Sequence, residues 1–403
     1  MNIIVRKTYL SHIVSHLNRG MMIILVGQRR VGKSFMLRQL RQWLEDNRPG
    51  ATVVYVNKEL LDFSDITNAK ELNDYVTPKF AEGGDNYLLI DEVQDIEGYE
   101  DVLRSLHAQD RCQVVATGSN AYVFSSELST RLGGRYIEIP IYGLSYCEFL
   151  EFHGLEDSDA SLHDYLRVGG LPGLRLYDIK DEVHVRDYLQ GVYNTIMMRD
   201  VIAREQIRNV PFIENLSKFI ADNDGKLIST NSIVRFMRSQ GDKVSEALTS
   251  AYIEHLCKAL IINPVARYDI HGKKLFEQIY KYYFADHGLR NYLCGFNIRG
   301  SIEKLMENVV YLHLLTQGYT VSVGILRAGE VDFVAVRGGR TIYIQVTYLL
   351  ASDETVDREF GNLAAIKDNY PKYVVSMDPL GGELDGYPGI HHVSLREFLK
   401  TNL

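Results

Sequence analysis

"MMIILVGQRRVGKSFMLRQLRQWL", residues 21–44, decides the fold. Met21 to Val26 is an unbroken apolar run, the pattern of a strand buried on both faces of a parallel sheet. Gly27-Gln28-Arg29-Arg30-Val31-Gly32-Lys33-Ser34 follows and matches G-x-x-x-x-G-K-[ST] at each fixed position. Phe35, Leu37, Leu40 and Leu44 then recur at helical spacing. Strand, glycine loop and helix together give the motif its physics. The glycines permit a backbone path that side chains would block. Successive N–H groups point inward, and the helix N-terminus adds positive potential for triphosphate oxygens. The expected nucleotide contacts run from Gly27 to Phe35, with ATP and Mg²⁺ as cofactors. Lys33 would bridge the β- and γ-phosphates, and Ser34 would ligate the metal.

The other half of such a site belongs on later strands. "YLLIDE" (87–92) is an apolar run ending in two acids. Asp91 is placed to hold the Mg²⁺ shell, and Glu92 to polarise an attacking water. "CQVVATGSN" (112–120) repeats the pattern, so Thr117, Ser119 or Asn120 could sit between the acids and sense the γ-phosphate. "ATVVYVN" (51–57) supplies another buried strand. Strands alternating with helices imply a parallel sheet covered on both faces, with ligand at the strands' C-terminal ends. Charge agrees. Residues 1–50 hold nine Lys/Arg against two Asp/Glu (+7), and residues 51–110 hold four against fourteen (-10). The total of -8 argues against a general DNA-coating protein.

The spacing of the loop, "LLIDE" and "TGSN" resembles that of AAA-type P-loop ATPases. "RLGGRYIEIPIYGLSYCEFLEF" (131–152) resembles the stretch that follows in a large prokaryotic family of them, whose members carry a C-terminal domain of uncharacterised function. "YLRVGGLPG" (165–173), "YNTIMMRDVIAR" (193–204) and "KYYFADHGLRN" (281–291) are similar to it too, so the likeness covers nearly the whole chain. The resemblance implies ATP hydrolysis. It also implies an arginine finger at Arg131 or, better, Arg135, which would act across a subunit boundary in a homo-oligomer. A helical lid is implied over 141–204, from which Arg167 or Arg175 could reach the phosphates.

Residues 205–295 change rhythm. "STNSIVRFM" and "SEALTSAYIEHLCKA" read as helices, and "LIINPVARYD" and "FEQIYKYYF" as strands turned at His271-Gly272-Lys273-Lys274. Helix, helix, hairpin is the layout of a winged helix-turn-helix. Its functional reading is DNA docking through the second helix, with Lys273 and Lys274 on phosphate. Against that, residues 200–295 balance thirteen basic with eleven acidic residues, and Glu246 and Glu254 lie on the supposed recognition helix. A spacer or protein-docking module fits as well.

In residues 296–403, helix, strand, the hairpin "GEVDFVAVRGGRTIYIQVTY", helix and strand follow in the order of the restriction-endonuclease-like, PD-(D/E)xK fold. Asp332 falls where the first metal-binding aspartate belongs, Gln345 at the second acid and Thr347 at the lysine. Glutamine offers a neutral carbonyl in place of a carboxylate, and threonine carries no positive charge, so Mg²⁺-dependent cleavage by the usual route is disfavoured. Glu307, Glu354, Arg358, Glu359 and Lys367 are candidates for recruitment. Glu354 and Arg358, four apart, would otherwise form a surface ion pair.

The expected class is therefore α/β: a P-loop NTPase parallel sheet (1–140), a helical lid (141–204), a winged helix-turn-helix (205–295) and an inactive restriction-endonuclease-like α/β domain (296–403). The expected function is a Mg²⁺-dependent AAA-type ATPase acting as a nucleotide-driven switch or remodeller. DNA and an unknown protein are candidate partners. The alternatives are an ATP-gated DNA nuclease with a variant site, and a nucleotide-liganded docking module without turnover. No apolar run is long enough to span a bilayer, and the first residues carry charge, so a cytoplasmic protein is expected. Four cysteines without C-x-x-C spacing read as reduced, mostly buried thiols.

Overall fold

The computed structural model describes residues 4–118, 132–327, 329–379 and 381–403. The chain divides into two compact units. One runs to Tyr142 and includes Lys258–Leu260, and the other is Gly143–Cys257 with Ile261–Leu403.

The first unit alternates helix and strand: α1 (Lys7–His16), β1 (Met22–Val26), α2 (Lys33–Asn47), β2 (Thr52–Asn57), α3 (Ala69–Val76), β3 (Asn86–Asp91), α4 (Tyr99–Ala108), β4 (Gln113–Gly118) and β5 (Tyr136–Pro140). The strands form one parallel sheet in the order β2-β3-β4-β1-β5. Central β1 and β3 are buried at every position. This is why the runs Met22–Val26 and Tyr87–Ile90 are continuously apolar rather than alternating. Ile24, Val56, Leu88, Ile90 and Leu103 pack in its core. Register pairs Leu25 with Thr117, Val26 with Gly118 and Asn57 with Asp91, so these C-terminal strand ends come out along one edge.

The second unit begins with α5 (Tyr146–His153), α6 (Asp159–Val168) and α7 (Glu182–Thr195), which runs on as a π-helical stretch, Ile196–Ala203. Next come α8 (Val210–Asp222), β6 (Leu227–Ile228), α9 (Thr230–Ser239), α10 (Glu246–Lys258), β7 (Ile262–Asp269), β8 (Lys274–Phe284) and α11 (His287–Leu293). The remainder is α12 (Ile302–Thr316), β9 (Thr320–Ile325), β10 (Glu330–Arg337), β11 (Arg340–Val346), α13 (Asp353–Ala364), β12 (Lys372–Ser376), β13 (Gly382–Glu383), β14 (Ile390–Ser394) and α14 (Leu395–Phe398).

Its strands form a single sheet, β13-β14-β12-β11-β10-β9-β7-β8-β6. The junction is a parallel pairing of β7 with β9, Arg267 to Val323 through Asp269 to Ile325. The segments expected as lid, winged helix-turn-helix and C-terminal domain thus lie in one compact unit, and the expected boundary at 295/296 falls within one sheet. β7 and β8 pair antiparallel with a break in register: Ala266 faces Tyr280, whereas the next residue, Arg267, faces Phe276.

Two of the sequence motifs meet inside this unit. The Asp286 carboxylate accepts from the Gly170 amide at 2.8 Å and from the Leu289 amide at 3.0 Å, capping α11. A Cβ on Gly169 would lie 2.6 Å from the Gly288 nitrogen, so the glycines permit that approach. Asn291 donates to the Leu166 carbonyl at 2.8 Å. The four cysteines are unpaired, and none is fully buried; Cys147 is exposed, against the expectation of mostly buried thiols. Among the described residues no helix is long and apolar enough to cross a membrane.

Candidate active site

The loop between β1 and α2 is shaped by close approach. A Cβ on Gly27 would sit 2.1 Å from the Ile141 carbonyl oxygen, so no larger residue fits that backbone path. Gly32, in the left-handed region, opens α2. The Lys33 side chain is buried, and its Nζ donates to the carbonyls of Gly27 at 2.8 Å and Gln28 at 3.0 Å. Gln28 is only 3% exposed, and among the described residues neither heteroatom of its amide has a hydrogen-bond partner. Phe35 is exposed, with the Arg38 guanidinium 5.1 Å from its ring centre. Arg29 is half-buried and Arg30 exposed at positive φ; Val31 is buried.

Opposite the loop, β3 and β4 bring the acids together. The Thr117 hydroxyl donates to Asp91 Oδ1 at 2.6 Å and accepts from the Glu92 amide at 2.9 Å. Ser34 also hydrogen-bonds the Asp91 carboxylate. Burial raises the Asp91 pKa, and the bonds from Thr117 and Ser34 oppose that rise. Glu92 takes a left-handed backbone conformation, and its carboxylate accepts from the Gln94 side chain.

Ser119, Asn120 and Arg131 lie outside the described residues. Arg135 is exposed and immediately precedes β5, whose Tyr136 faces Met22 at the start of β1. It therefore stands a strand's length, about 13 Å, from its own loop. In the second unit, Arg167 is engaged by Asp164 at 3.8 Å and by the Ile179 carbonyl.

Two features had no signal in the sequence. Arg6, buried, donates to the carbonyls of Val31 at 3.2 Å and Tyr142 at 2.9 Å, pinning the loop from behind. Tyr55 brings its hydroxyl to 3.5 Å from Asp91 Oδ2 and accepts from Asn57 at 3.2 Å. An isolated arginine or tyrosine carries no pattern that spacing could reveal.

The second unit holds another charged centre. Lys281 of β8 places Nζ 2.7 Å from Glu330, 3.3 Å from Glu307 and 3.3 Å from Asp332. Burial works against the ammonium charge, but the carboxylates of Glu307, Asp332 and Glu330 outweigh it and hold its pKa above the ordinary value. Burial, and then the Asp332 carboxylate, raise Glu307 well above the usual carboxylate range; its Oε2 accepts from the Tyr283 hydroxyl at 2.8 Å. Asp332 Oδ2 accepts from the Val346 amide at 2.9 Å, and Gln345 Oε1 from the Asp332 amide at 3.3 Å. Glu307, Asp332 and Gln345 thus meet, and Glu359 joins through Gln345. Arg358 pairs with Glu359 at 2.6 Å rather than forming the expected pair with Glu354. Lys367 and Glu354 are exposed, and buried Thr347 is paired through its backbone to Val375. Sequence reading missed Lys281 and Glu330 as members of this centre.

The AAA domain family matches residues 19–150, and a domain of unknown function (DUF8612) matches residues 159–299. Sheet, glycine loop and AAA domain together define a P-loop protein of AAA type. An uncharacterized protein of Haemophilus influenzae is 30% identical over 377 residues, covering 92% of each chain, and this chain belongs to the same family. The uncharacterized protein MJ1544 of Methanocaldococcus jannaschii is 26% identical over 365 residues, covering 86% of this chain and 78% of its own. Among solved structures, the Aeropyrum pernix ORC1 protein in complex with DNA shares 15% identity at a TM-score of 0.32, over 75% of this chain and 95% of that one. AMPPCP-bound DnaA from Aquifex aeolicus shares 17% at a TM-score of 0.32, over 49% and 72%.

Proposed function

We propose that the chain binds ATP with Mg²⁺ at Gly27–Phe35 and hydrolyses it, the turnover driving a switch or remodelling stroke. The observation that carries this reading is the meeting of Ser34, which follows Lys33 in the loop, with Asp91, and of Asp91 with Thr117 and Glu92, at one edge of the parallel sheet.

The residues suit their parts. The buried Gln28 amide, without a partner among the described residues, is the kind of group a ligand satisfies; unmet, such a group costs about 1–3 kcal/mol. The Lys33 ammonium, capped by two neutral carbonyls, would gain stronger charge-assisted bonds from phosphate oxygens. The Ser34 hydroxyl and Asp91 carboxylate are hard oxygen donors of the type Mg²⁺ takes. Mg²⁺ held there would supply charge neutralisation at the phosphate oxygens. Glu92, oriented by Gln94, would accept the proton of the attacking water. Arg135, a strand's length from its own loop, is suited to the site of a second copy. DNA and a protein partner are candidate targets of the stroke.

Calorimetry with ATP and steady-state phosphate release, with and without DNA, test this. Lys33→Ala should abolish ATP binding. Glu92→Gln should bind ATP within a few-fold of wild type yet lose at least a hundredfold in turnover. Wild-type turnover by Glu92→Gln would remove Glu92 from its role. Binding without any phosphate release would leave a nucleotide-liganded docking module instead.

A further inference from the structure

One face of the second unit's sheet is covered by α13 over part of its width, where Phe360 and Leu363 pack with Val331, Val334 and Tyr343. Beyond them the same face opens into a groove of about 680 Å³. Its floor is β9, β10 and β11, on which Thr320, Ser322 and Thr341 set hydroxyls beside Val334 and Val336. The β7–β8 hairpin forms one wall with Tyr268, Lys273 and Leu275. The segment before β12, Asp368 to Tyr370, forms the other.

Both walls carry aromatic rings. Tyr370 is 44% exposed, and its ring centre stands 6.3 Å from that of Tyr343 with 55° between the planes. The Tyr343 hydroxyl donates to the Asp368 carboxylate at 2.6 Å, and Lys372 Nζ to the Asp368 carbonyl at 2.7 Å, so the wall that bears Tyr370 is tied down. Tyr268 faces it from β7. Rings held with a face towards solvent are platforms on which a base can stack.

Charge is complementary to phosphate. Asp368 is the acid of the lining, and the Lys372 ammonium offsets it at 3.6 Å. Lys273, on the opposite wall, is exposed and makes no ion pair among the described residues, so its ammonium is the charge left over. The strands of the floor are hydrogen-bonded on both sides, which leaves no free edge for a peptide strand to join. The rim is open, with Leu275 58% and Val336 40% exposed, whereas a site for a small free molecule encloses most of its ligand. A chain can pass through such a groove and leave bases and a phosphate in it.

We propose that this groove binds single-stranded nucleic acid. Bases stack on Tyr370 and Tyr268, the hydroxyls of the floor and the Asn369 amide meet base edges, and Lys273 pairs with a phosphate. A duplex keeps its base faces inside and offers the rings nothing to stack on. The inference rests on the second unit alone and stands whether or not the loop of the first unit hydrolyses ATP.

The test is fluorescence anisotropy of a short labelled oligo(dT), titrated with the full chain in the absence of ATP and Mg²⁺, so that a failure of the nucleotide site does not enter. Tyr370 and Lys273 are exposed, so replacing either empties no packed position. Wild type should bind, Tyr370→Ala should bind about tenfold more weakly, and Tyr370→Phe, which keeps the ring, should stay within about twofold of wild type. Lys273→Gln should weaken binding and flatten its salt dependence, because one phosphate fewer is neutralised. A blunt duplex of the same length should bind at least about tenfold more weakly than the single strand. No binding by wild type overturns the proposal, and so does wild-type affinity in either Tyr370→Ala or Lys273→Gln. Equal affinity for the duplex overturns it as well and leaves a surface that reads phosphate alone.

Discussion

The hydroxyl of Thr117 is committed at both ends, donating to Asp91 and accepting from the Glu92 amide. Thr117→Val keeps the shape and removes both bonds, leaving a buried carboxylate short of a donor. We expect a loss of about 1–3 kcal/mol in stability, read by denaturant melting. Burial already raises the Asp91 pKa, and the lost bond would raise it further. The acid limb of the turnover–pH profile should therefore move to higher pH, and Thr117→Ser should restore it. An unmoved limb would separate Asp91 from the step. At this scale the sequence was legible where chemistry has a fixed spacing, as in Gly27 to Ser34. It was silent where a lone residue acts through folded proximity, as Arg6 does on Val31.

Among the elements, α12 carries a titration the acids do not explain. His313 is buried, with Nε2 3.3 Å from the Thr401 carbonyl, and burial lowers its pKa from 6.5 to about 4. Below pH 6.5 the unfolded chain takes up a proton that the folded chain refuses. Stability is therefore intact above 6.5 and falls as pH drops towards about 4. His313→Gln should lose less melting temperature between pH 7 and pH 5 than wild type; parallel losses would place the sensitivity elsewhere. Strands and helices were readable here because their periods are local. β10 and β11 follow from two apolar runs flanking Gly338-Gly339. The pairing of β7 with β9 was not readable, because parallel neighbours leave no turn between them to announce the contact.

Over the whole molecule, the exposed Arg135 and the loop of the same chain lie at opposite ends of one sheet. If active centres are shared between copies, Arg135→Ala and Lys33→Ala should each be inactive alone, and mixing them should restore part of the phosphate release. Mixtures that stay silent would confine the site to one chain. The expected divisions at 204/205 and 295/296 followed composition and rhythm, which report local elements. Compactness is set by which strands hydrogen-bond, and Lys281 finds its partners 26 to 51 residues later. The register break between β7 and β8 separates two responsibilities within one hairpin. Val265 opposite Lys281 fixes which way the ammonium turns. The outer rungs, Arg267 to Asp269 against Lys274 to Phe276, keep their own phase beyond the irregularity. Residues could be gained or lost at the exposed tip, and the slack taken up at that break, without swinging the lysine to the opposite side of the sheet.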